Sequence, residues 1–212
     1  MRKRVKLLNK NFRIEDQGTL NDYLGVKIKK REDGKLELTQ PTLISSILKD
    51  VGLDDPTKGN PATSRTTQAY HTVILSKDEK GENHNREDFD YRQVIEKLLY
   101  LENFFCRPDI ACSVHQCARF CKAPKSSHAK AVKCICRYLL GTRNKGLILD
   151  PKENSFDCWV DASHASEWSS KGAENDPNTA RSRMGYTICL AGCPMLWALK
   201  MQTEIALSST NI

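Results

Sequence analysis

The spacing of apolar residues changes at Pro151, and this change constrains the fold more than any other feature of the sequence. From Tyr91 to Leu140, apolar residues recur every three or four positions, which is the period of an amphipathic helix. After Pro151 they form short runs bounded by turn residues, which predicts strands over 156–161, 184–190 and 195–199. Helices followed by strands predict an α+β fold.

The N-terminal part carries a strand signal of its own. Apolar and polar residues alternate over 24–28 and again over 36–38, and Asp33-Gly34 supplies a tight turn between them. This pattern predicts a β-hairpin. A helix is predicted from Pro41, an allowed first-turn position, to a stop at Gly52.

Three helices are predicted in the middle of the chain. The first begins at Tyr91, the second opens at Pro108, and the third follows a Ser126/Ser127 cap and ends at Gly141. Residues 54–90 are polar and broken by proline and glycine, and we interpret them as a linker. The resulting division is 1–53, 54–90, 91–150 and 151–212.

Positive charge is concentrated in the helical region. Residues 110–149 contain no Asp or Glu but eight Lys and Arg residues, more than the net charge of +7 of the whole chain. Lys130, Lys133 and Arg137 fall on one face of the third helix, opposite its apolar stripe, and Arg119 and Lys122 precede that helix. Such a block suits a phosphate backbone, although a solvated helix face is an equally good reading.

The cysteines predict packing, not chemistry. The N-terminus is basic and lacks the apolar core of a signal peptide, so the nine cysteines are expected as reduced thiols in the cytosol or nucleus. Their spacing does not match that of zinc knuckles. Cys112 and His115 form a chance ligand pair without further support. We expect no membrane partner and no small-molecule substrate.

One carboxylate could belong to a catalytic site. The stretch FDCWVDASHASEW reads as a buried strand that ends near Asp161. A two-metal nuclease needs several carboxylates around its ions. The nearby acids Glu167, Glu174 and Asp176 lie in a polar loop that we expect to be mobile, so they are poor candidates.

Seven segments in order resemble the reverse transcriptase–RNase H part of copia-type retrotransposon polyproteins. The resemblance runs from about Phe12 to Thr210. The segments are DQGTLNDYLGVKI, KLELTQPTLISSILKDVGL, YRQVIEKLLYL, RPDIACSVHQCARF, HAKAVKCICRYLLGTRNKG, WVDASHASEW and ARSRMGYTICLAGCPMLWALKMQTEIALSST.

This resemblance implies a layout. The hairpin and first helix would be the end of the polymerase palm. The helices over 91–150 would be a connection that grips a template–primer duplex. The last strands would be an RNase H-like β-meander. Asp161 would be the first RNase H metal ligand, and the parent family uses Mg²⁺. The basic residues would contact the duplex backbone, with affinity that falls as salt rises.

Departures from the family shape the functional expectation. The Tyr-x-Asp-Asp polymerase signature is absent, and Asp54-Asp55 lack its tyrosine. Where the family has Ser-Thr-Glu-Ala-Glu-Tyr, Asn211 replaces the first Glu and Ile212 is the last residue given. Ser163 and His164 also depart from the family's usual pair after Asp161.

We therefore expect a truncated polyprotein fragment without polymerase or RNase H activity, in which Asp161 is an incomplete metal site and no cofactor is bound. Two alternatives remain. The helical part could keep weak affinity for RNA–DNA or DNA duplexes through its basic residues, or the chain could be one slice of a longer active polyprotein.

Overall fold

In a computed structural model of the chain, the structure describes residues 9, 12–13, 18–54, 75, 81–103, 106–152, 154–165, 168 and 176–205. Within these residues, α-helices and two antiparallel sheets confirm the predicted α+β fold. Helices and the first sheet come from the part of the chain before 150, and the second sheet comes from the part after it.

The first sheet contains the predicted hairpin. Strands β1 (Asp22–Tyr23), β2 (Val26–Lys30), β3 (Leu36–Thr39) and β4 (Leu147–Leu149) follow one another in the order β1-β2-β3-β4. Gly34 closes the β2–β3 turn at φ +84°, a conformation that costs glycine little.

Strand β4 was not predicted. It pairs antiparallel with β3, with Leu147 opposite Leu38, so the end of the helical region returns to the N-terminal hairpin. Gly146 allows this return, because a Cβ at that position would collide with the backbone carbonyl of Leu38.

The predicted helices are confirmed. Helix α1 spans Pro41–Asp50 and α2 spans Tyr91–Asn103; a 3₁₀ turn at Pro108–Ile110 leads into α3 (Ala111–Ala118), and α4 spans Ser126–Gly141. The start of α4 differs in detail, because Lys125 is the N-cap residue and its backbone N–H donates to Nδ1 of His128 over 3.0 Å.

One apolar core joins these helices. Its fully buried side chains come from the faces that helical spacing predicted: Ile44, Ile47, Leu48, Val94, Ile95, Leu98, Leu101, Val114, Val132 and Leu139. Burial of this size is the main favourable free-energy term for such a unit, at roughly 2 kcal/mol per large aliphatic side chain.

Part of the predicted linker packs against α4. The His84 backbone N–H donates to the carbonyl of Pro124 over 2.9 Å, Asn83 forms a β-bridge with Lys125, and Phe89 is buried in the core. Residues 81–90 are therefore part of the helical unit. Most of the remaining linker, 55–74 and 76–80, lies outside the described residues.

The second sheet is the predicted three-stranded meander. Strands β5 (Phe156–Ser163), β6 (Arg183–Leu190) and β7 (Cys193–Met201) pair in the order β5-β6-β7. The last strand begins two residues earlier than predicted, at Cys193. Ala191 and Gly192, at φ 55° and 76°, form the turn, and both positive angles match a two-residue type I′ hairpin loop.

The prediction that β5 is buried is wrong. Residues 156–161 are exposed, and Phe156 and Trp159 keep 71% and 69% of their surface accessible. The described elements leave most of the side-chain surface of β5 uncovered. Edge position alone does not explain this, because β7 also lies at an edge of the same sheet and is more buried. Apolar strand composition does not reveal which faces of a strand another element covers.

Candidate functional site

A buried arginine fixes helix α4 relative to the start of α3. Arg107 is 2% exposed, and its guanidinium donates to both carboxylate oxygens of Asp109 over 2.9 and 2.8 Å. It also donates to the Thr142 hydroxyl over 2.8 Å, beyond the C-terminus of α4. The Tyr138 hydroxyl completes the network by donating to Asp109 over 2.8 Å.

This network explains why two sequence motifs occur together. Arg107 and Asp109 belong to RPDI, and Tyr138 and Thr142 belong to RYLLGT. Burial disfavours the charge of Asp109, but hydrogen bonds from Arg107 and Tyr138 outweigh it and hold the pKa of this carboxyl below its usual value. Both motifs therefore serve the packing of the helices, and they keep the exposed face of α4 in a defined orientation.

Helix α4 presents its basic residues opposite the core. Val132, Ile135, Cys136 and Leu139 are buried, whereas Lys130 is exposed and Arg137 is half-buried. Lys130 and Arg137 lie seven residues apart, which is two helical turns or about 10 Å along the axis. Neither side chain forms an ion pair or hydrogen bond within the described residues, so both charges remain available to an external anion.

Two of the predicted contact residues are paired with acidic side chains of the chain itself. Lys133 donates to Asp88 over 2.7 Å and lies 5.5 Å from the ring centre of Phe89. Arg119 is almost buried, with hydrogen bonds to Gln116 over 3.0 Å and to Asp176 over 3.1 Å. Their charges are balanced by these partners, and no local sequence pattern indicates the pairing, because the partners lie up to 57 positions away.

The fifth predicted residue, Lys122, is exposed in the turn that follows α3. It forms no ion pair within the described residues. The structure thus divides the predicted set into three accessible charges, Lys122, Lys130 and Arg137, and two that are paired internally. Arg143 donates to the Ser45 hydroxyl over 2.7 Å and so belongs with the paired group.

Asp161 lies on exposed β5, directly opposite Gly185 of β6. Its side chain lines a cleft of about 440 Å³ that opens between the second sheet and the start of α3. Pro108, Ala111 and Cys112 form the helical wall, and Trp159 and Trp197 are among the residues of the sheet wall.

The described residues do not fit a two-metal centre. No group of three or more His, Cys, Asp or Glu side chains gathers where it could hold a metal ion in the described part of the chain. Asp176 had been placed in a mobile loop, but it is buried and ion-paired with Arg119. Glu167, Glu174 and the positions near Asn211 lie outside the described residues.

His115, which forms a chance ligand pair with Cys112 in the sequence, has another role in the structure. His115 is bonded through Nε2 to Oε1 of buried Glu102 over 2.9 Å, so it forms part of the α2–α3 contact. His164 is exposed immediately after β5.

The predicted packing role is confirmed for the buried cysteines, Cys106, Cys117, Cys136 and Cys193, whereas Cys158 is exposed on β5. Cys117 and Cys136 are buried, and burial raises the pKa of both thiols to about 12. A thiol with such a pKa is a poor nucleophile at neutral pH, because the thiolate is the reactive form. In the described part of the chain, no helix is both long and apolar enough to cross a membrane.

Sequence reasoning missed the cleft. Trp159 and Trp197 are visible in the sequence, but their proximity depends on the register of three strands and on the position of α3 against the sheet. The one available signal was the alternation in WVD, which places Trp159 and Asp161 on the same face of a strand.

Comparison with curated proteins gives consistent relatives. The chain is 30% identical over 212 residues to a retrovirus-related Pol polyprotein from transposon TNT 1-94 of Nicotiana tabacum, covering 96% of this chain and 14% of that protein. It is 29% identical over 207 residues to the Pol polyprotein from transposon RE1 of Arabidopsis thaliana, covering 96% and 13%. A transposon Ty5-1 protein of Saccharomyces cerevisiae is 26% identical over 194 residues, covering 91% and 57%.

The chain therefore spans about one seventh of the length of the two plant polyproteins. No protein-family profile matches it. No solved structure matches it significantly.

Proposed function

Because the chain belongs to the copia-type retrotransposon Pol polyproteins, we propose that it supplies a part of such a polyprotein that holds a nucleic-acid duplex by its backbone. The observation that carries this proposal is the exposed basic face of α4. Lys130 and Arg137 project from it without internal partners among the described residues, in a region of forty residues that has no acid.

The fold supports the same assignment in outline. In the proposal, the β2–β3 hairpin and α1 correspond to the end of the polymerase palm, α2 to α4 to the connection, and β5 to β7 to the opening meander of an RNase H-like domain. The order β5-β6-β7 with antiparallel pairing is compatible with that opening.

Binding of this kind is electrostatic and weakly specific. Lys and Arg side chains displace counterions from phosphates, and they read no base edges when they contact only the backbone. Lys122 extends the accessible basic surface at the turn before α4. Helix α4 is a firm support for these contacts, since the Arg107 network fixes its C-terminal end.

The proposal includes no hydrolysis by this chain. A two-metal mechanism requires several carboxylates, and Asp161 is the one acidic residue among the described residues that line its cleft. In this proposal Mg²⁺ is a cofactor of the longer parent proteins and not of this chain.

Fluorescence anisotropy with a labelled RNA–DNA duplex tests the binding directly. We expect the Lys130→Ala/Arg137→Ala variant to bind several-fold more weakly than the unaltered chain, because two phosphate contacts are lost. Lys27→Ala/Lys29→Ala is the matched control, since both lysines are exposed on β2 without ion pairs in the described residues. Equal losses in the two variants would refute a role specific to α4.

A second candidate is that the chain is one part of a longer working polyprotein. The small share of each plant relative that it covers, 14% and 13%, favours this candidate. Reading the flanking genomic DNA tests it. An upstream Tyr-x-Asp-Asp codon run together with a downstream glutamate in frame would support it, and stop codons on both sides would refute it.

A further inference from the structure

Two rows of side chains cross the second sheet next to each other and form the floor of the cleft. In the first row, Trp159 lies opposite Thr187, which lies opposite Trp197. In the second row, Asp161 lies opposite Gly185, which lies opposite Leu199. All six residues line the cleft.

The spacing of these rows leaves room for a flat ring. The Cα atoms of Trp159 and Trp197 are two strand spacings apart, about 9–10 Å. Gly185 has no side chain, and Cδ1 of Leu199 would lie 3.5 Å from a Cβ at this position, so the floor is free of a side chain toward Asp161 but bordered by Leu199 on the other side. Pro108 and Cys112 line the opposite side, from the helical unit, and the cleft remains open to solvent along Trp159. A cleft of about 440 Å³ lies within the size range of small-ligand sites.

The chemistry of the walls selects the ligand. Two indole rings offer stacking surfaces, and aromatic stacking tolerates any base because every base has a π-face. Asp161 is exposed, is the one charged residue among the described lining residues, and forms no ion pair or hydrogen bond within the described part of the chain. Its carboxylate repels a phosphate and accepts hydrogen bonds from an amino group.

We propose that this cleft binds one unpaired nucleobase that carries an exocyclic amino group, stacked against Trp159, with the Asp161 carboxylate accepting a hydrogen bond from that group. The inference rests on the proposed function, because the base would come from an unpaired end of a duplex bound by the chain. It assigns Asp161 a role that needs no metal ion.

The position of the cleft in the sequence supports an unpaired duplex end as the source of the base. Its helical wall, 108–112, lies at the start of the acid-free stretch 110–149 that carries the basic residues. In the proposal, a strand whose phosphates contact that stretch places one terminal base in the cleft. A cationic peptide side chain is the competing ligand, because indoles and a carboxylate also suit an ammonium or guanidinium group.

Anisotropy with two labelled duplexes tests the proposal in the full chain. One duplex is blunt, and the other carries one unpaired adenosine at its end. We expect the adenosine to tighten binding about tenfold, the scale of one stacked base. Trp159→Ala should abolish this preference and leave binding of the blunt duplex unchanged. Phe156→Ala should keep it, because Phe156 is exposed on the same strand but on the opposite face.

The role of Asp161 has its own comparison. The unaltered chain should prefer a terminal adenosine or cytidine to uridine, which lacks an exocyclic amino group, and Asp161→Asn should lose most of that preference. An adenosine preference that persists unchanged in Trp159→Ala, or equal binding of blunt and overhang duplexes by the unaltered chain, would overturn the proposal.

A second measurement separates this proposal from the duplex proposal. If the blunt duplex does not bind, the proposed function fails, and the cleft is then probed with adenosine alone by quenching of tryptophan fluorescence. Saturable quenching that is lost in Trp159→Ala would support the base site. Saturable quenching by N-acetyl-arginine amide but not by adenosine would overturn it in favour of a peptide ligand, and no saturable quenching by either would also overturn it.

Discussion

Arg119 and Asp176 form a nearly buried ion pair that joins the helical unit to the C-terminal part of the chain. The guanidinium Nη2 lies 3.1 Å from Oδ2 of Asp176, and the side chains are 12% and 1% exposed. The two residues are 57 positions apart in sequence. This pair anchors the segment before β6 against the turn that follows α3, and so it holds together the two walls of the cleft.

Removing one partner of this pair should be costly. Asp176→Ala leaves the Arg119 charge in a poorly solvated position, and we expect a loss of roughly 3–5 kcal/mol in the free energy of unfolding. Urea denaturation followed by tryptophan fluorescence measures it. The double variant Arg119→Met/Asp176→Leu should lose much less, because it leaves no buried charge. Equal losses in the single and double variants would contradict this account.

The Arg107 network predicts that a conservative substitution is not tolerated. Arg107→Lys keeps the charge but cannot bind both oxygens of Asp109 and still reach Thr142, so we expect a loss of about 2 kcal/mol. Arg92→Lys is the control. Arg92 forms an exposed ion pair with Glu96. Such a pair contributes only about a few tenths of a kcal/mol to the free energy of unfolding. Similar losses for the two substitutions, measured by urea denaturation, would show that the buried network is not what stabilises this junction.

Buried thiols predict a loss of stability at alkaline pH. Burial raises the pKa of Cys106 to about 11 and the pKa values of Cys117 and Cys136 to about 12. In the unfolded chain these thiols lose protons near pH 8.5, so above that pH the unfolded state binds fewer protons than the folded state. The free energy of unfolding should therefore fall as pH rises from about 9 toward 12, by up to about 1.4 kcal/mol per pH unit for each thiol.

Urea denaturation at a series of pH values checks this dependence. Cys136→Ala should show a shallower decline than the unaltered chain, whereas Cys158→Ala should not change it, because Cys158 is exposed on β5. A decline that is the same in all three proteins would assign the alkaline loss to other groups.

The account also predicts how the chain treats an RNA–DNA hybrid in the presence of Mg²⁺. We expect binding without cleavage, because no second carboxylate lies beside Asp161 among the described residues that line the cleft. A two-metal mechanism needs several carboxylates. Gel analysis of a labelled RNA strand after incubation measures this outcome. Cleavage products that disappear in Asp161→Asn would show that Asp161 is a working metal ligand.

Local patterns predicted most of the secondary structure. The hairpin around Asp33-Gly34 and the helices at Pro41, Tyr91, Pro108 and Ser126 carry their signals in adjacent residues, as alternation, helical spacing and turn chemistry. The same signals gave the apolar stripe of α4 and the basic face opposite to it.

What the sequence could not predict depends on distant pairing. The pairing of β4 with β3 joins segments more than a hundred residues apart, and no local pattern in Leu147–Leu149 indicates which strand it pairs with. The exposed position of β5 and the cleft beside Trp159 depend on strand order and on the position of α3. For the same reason the sequence predicts the same role for Arg119 and Lys133 as for Lys130 and Arg137. In the structure, Asp176 and Asp88 form ion pairs with Arg119 and Lys133.

The dependence of duplex affinity on salt concentration tests whether α4 is the surface that binds the duplex. Each phosphate contact adds about one unit to the slope of the logarithm of the binding constant against the logarithm of salt concentration. We expect Lys130→Ala/Arg137→Ala to reduce the magnitude of this slope by about two relative to the unaltered chain. We also expect Lys27→Ala/Lys29→Ala to leave the slope unchanged. An unaltered slope after removal of Lys130 and Arg137 would contradict the assignment of α4 as the surface that binds the duplex.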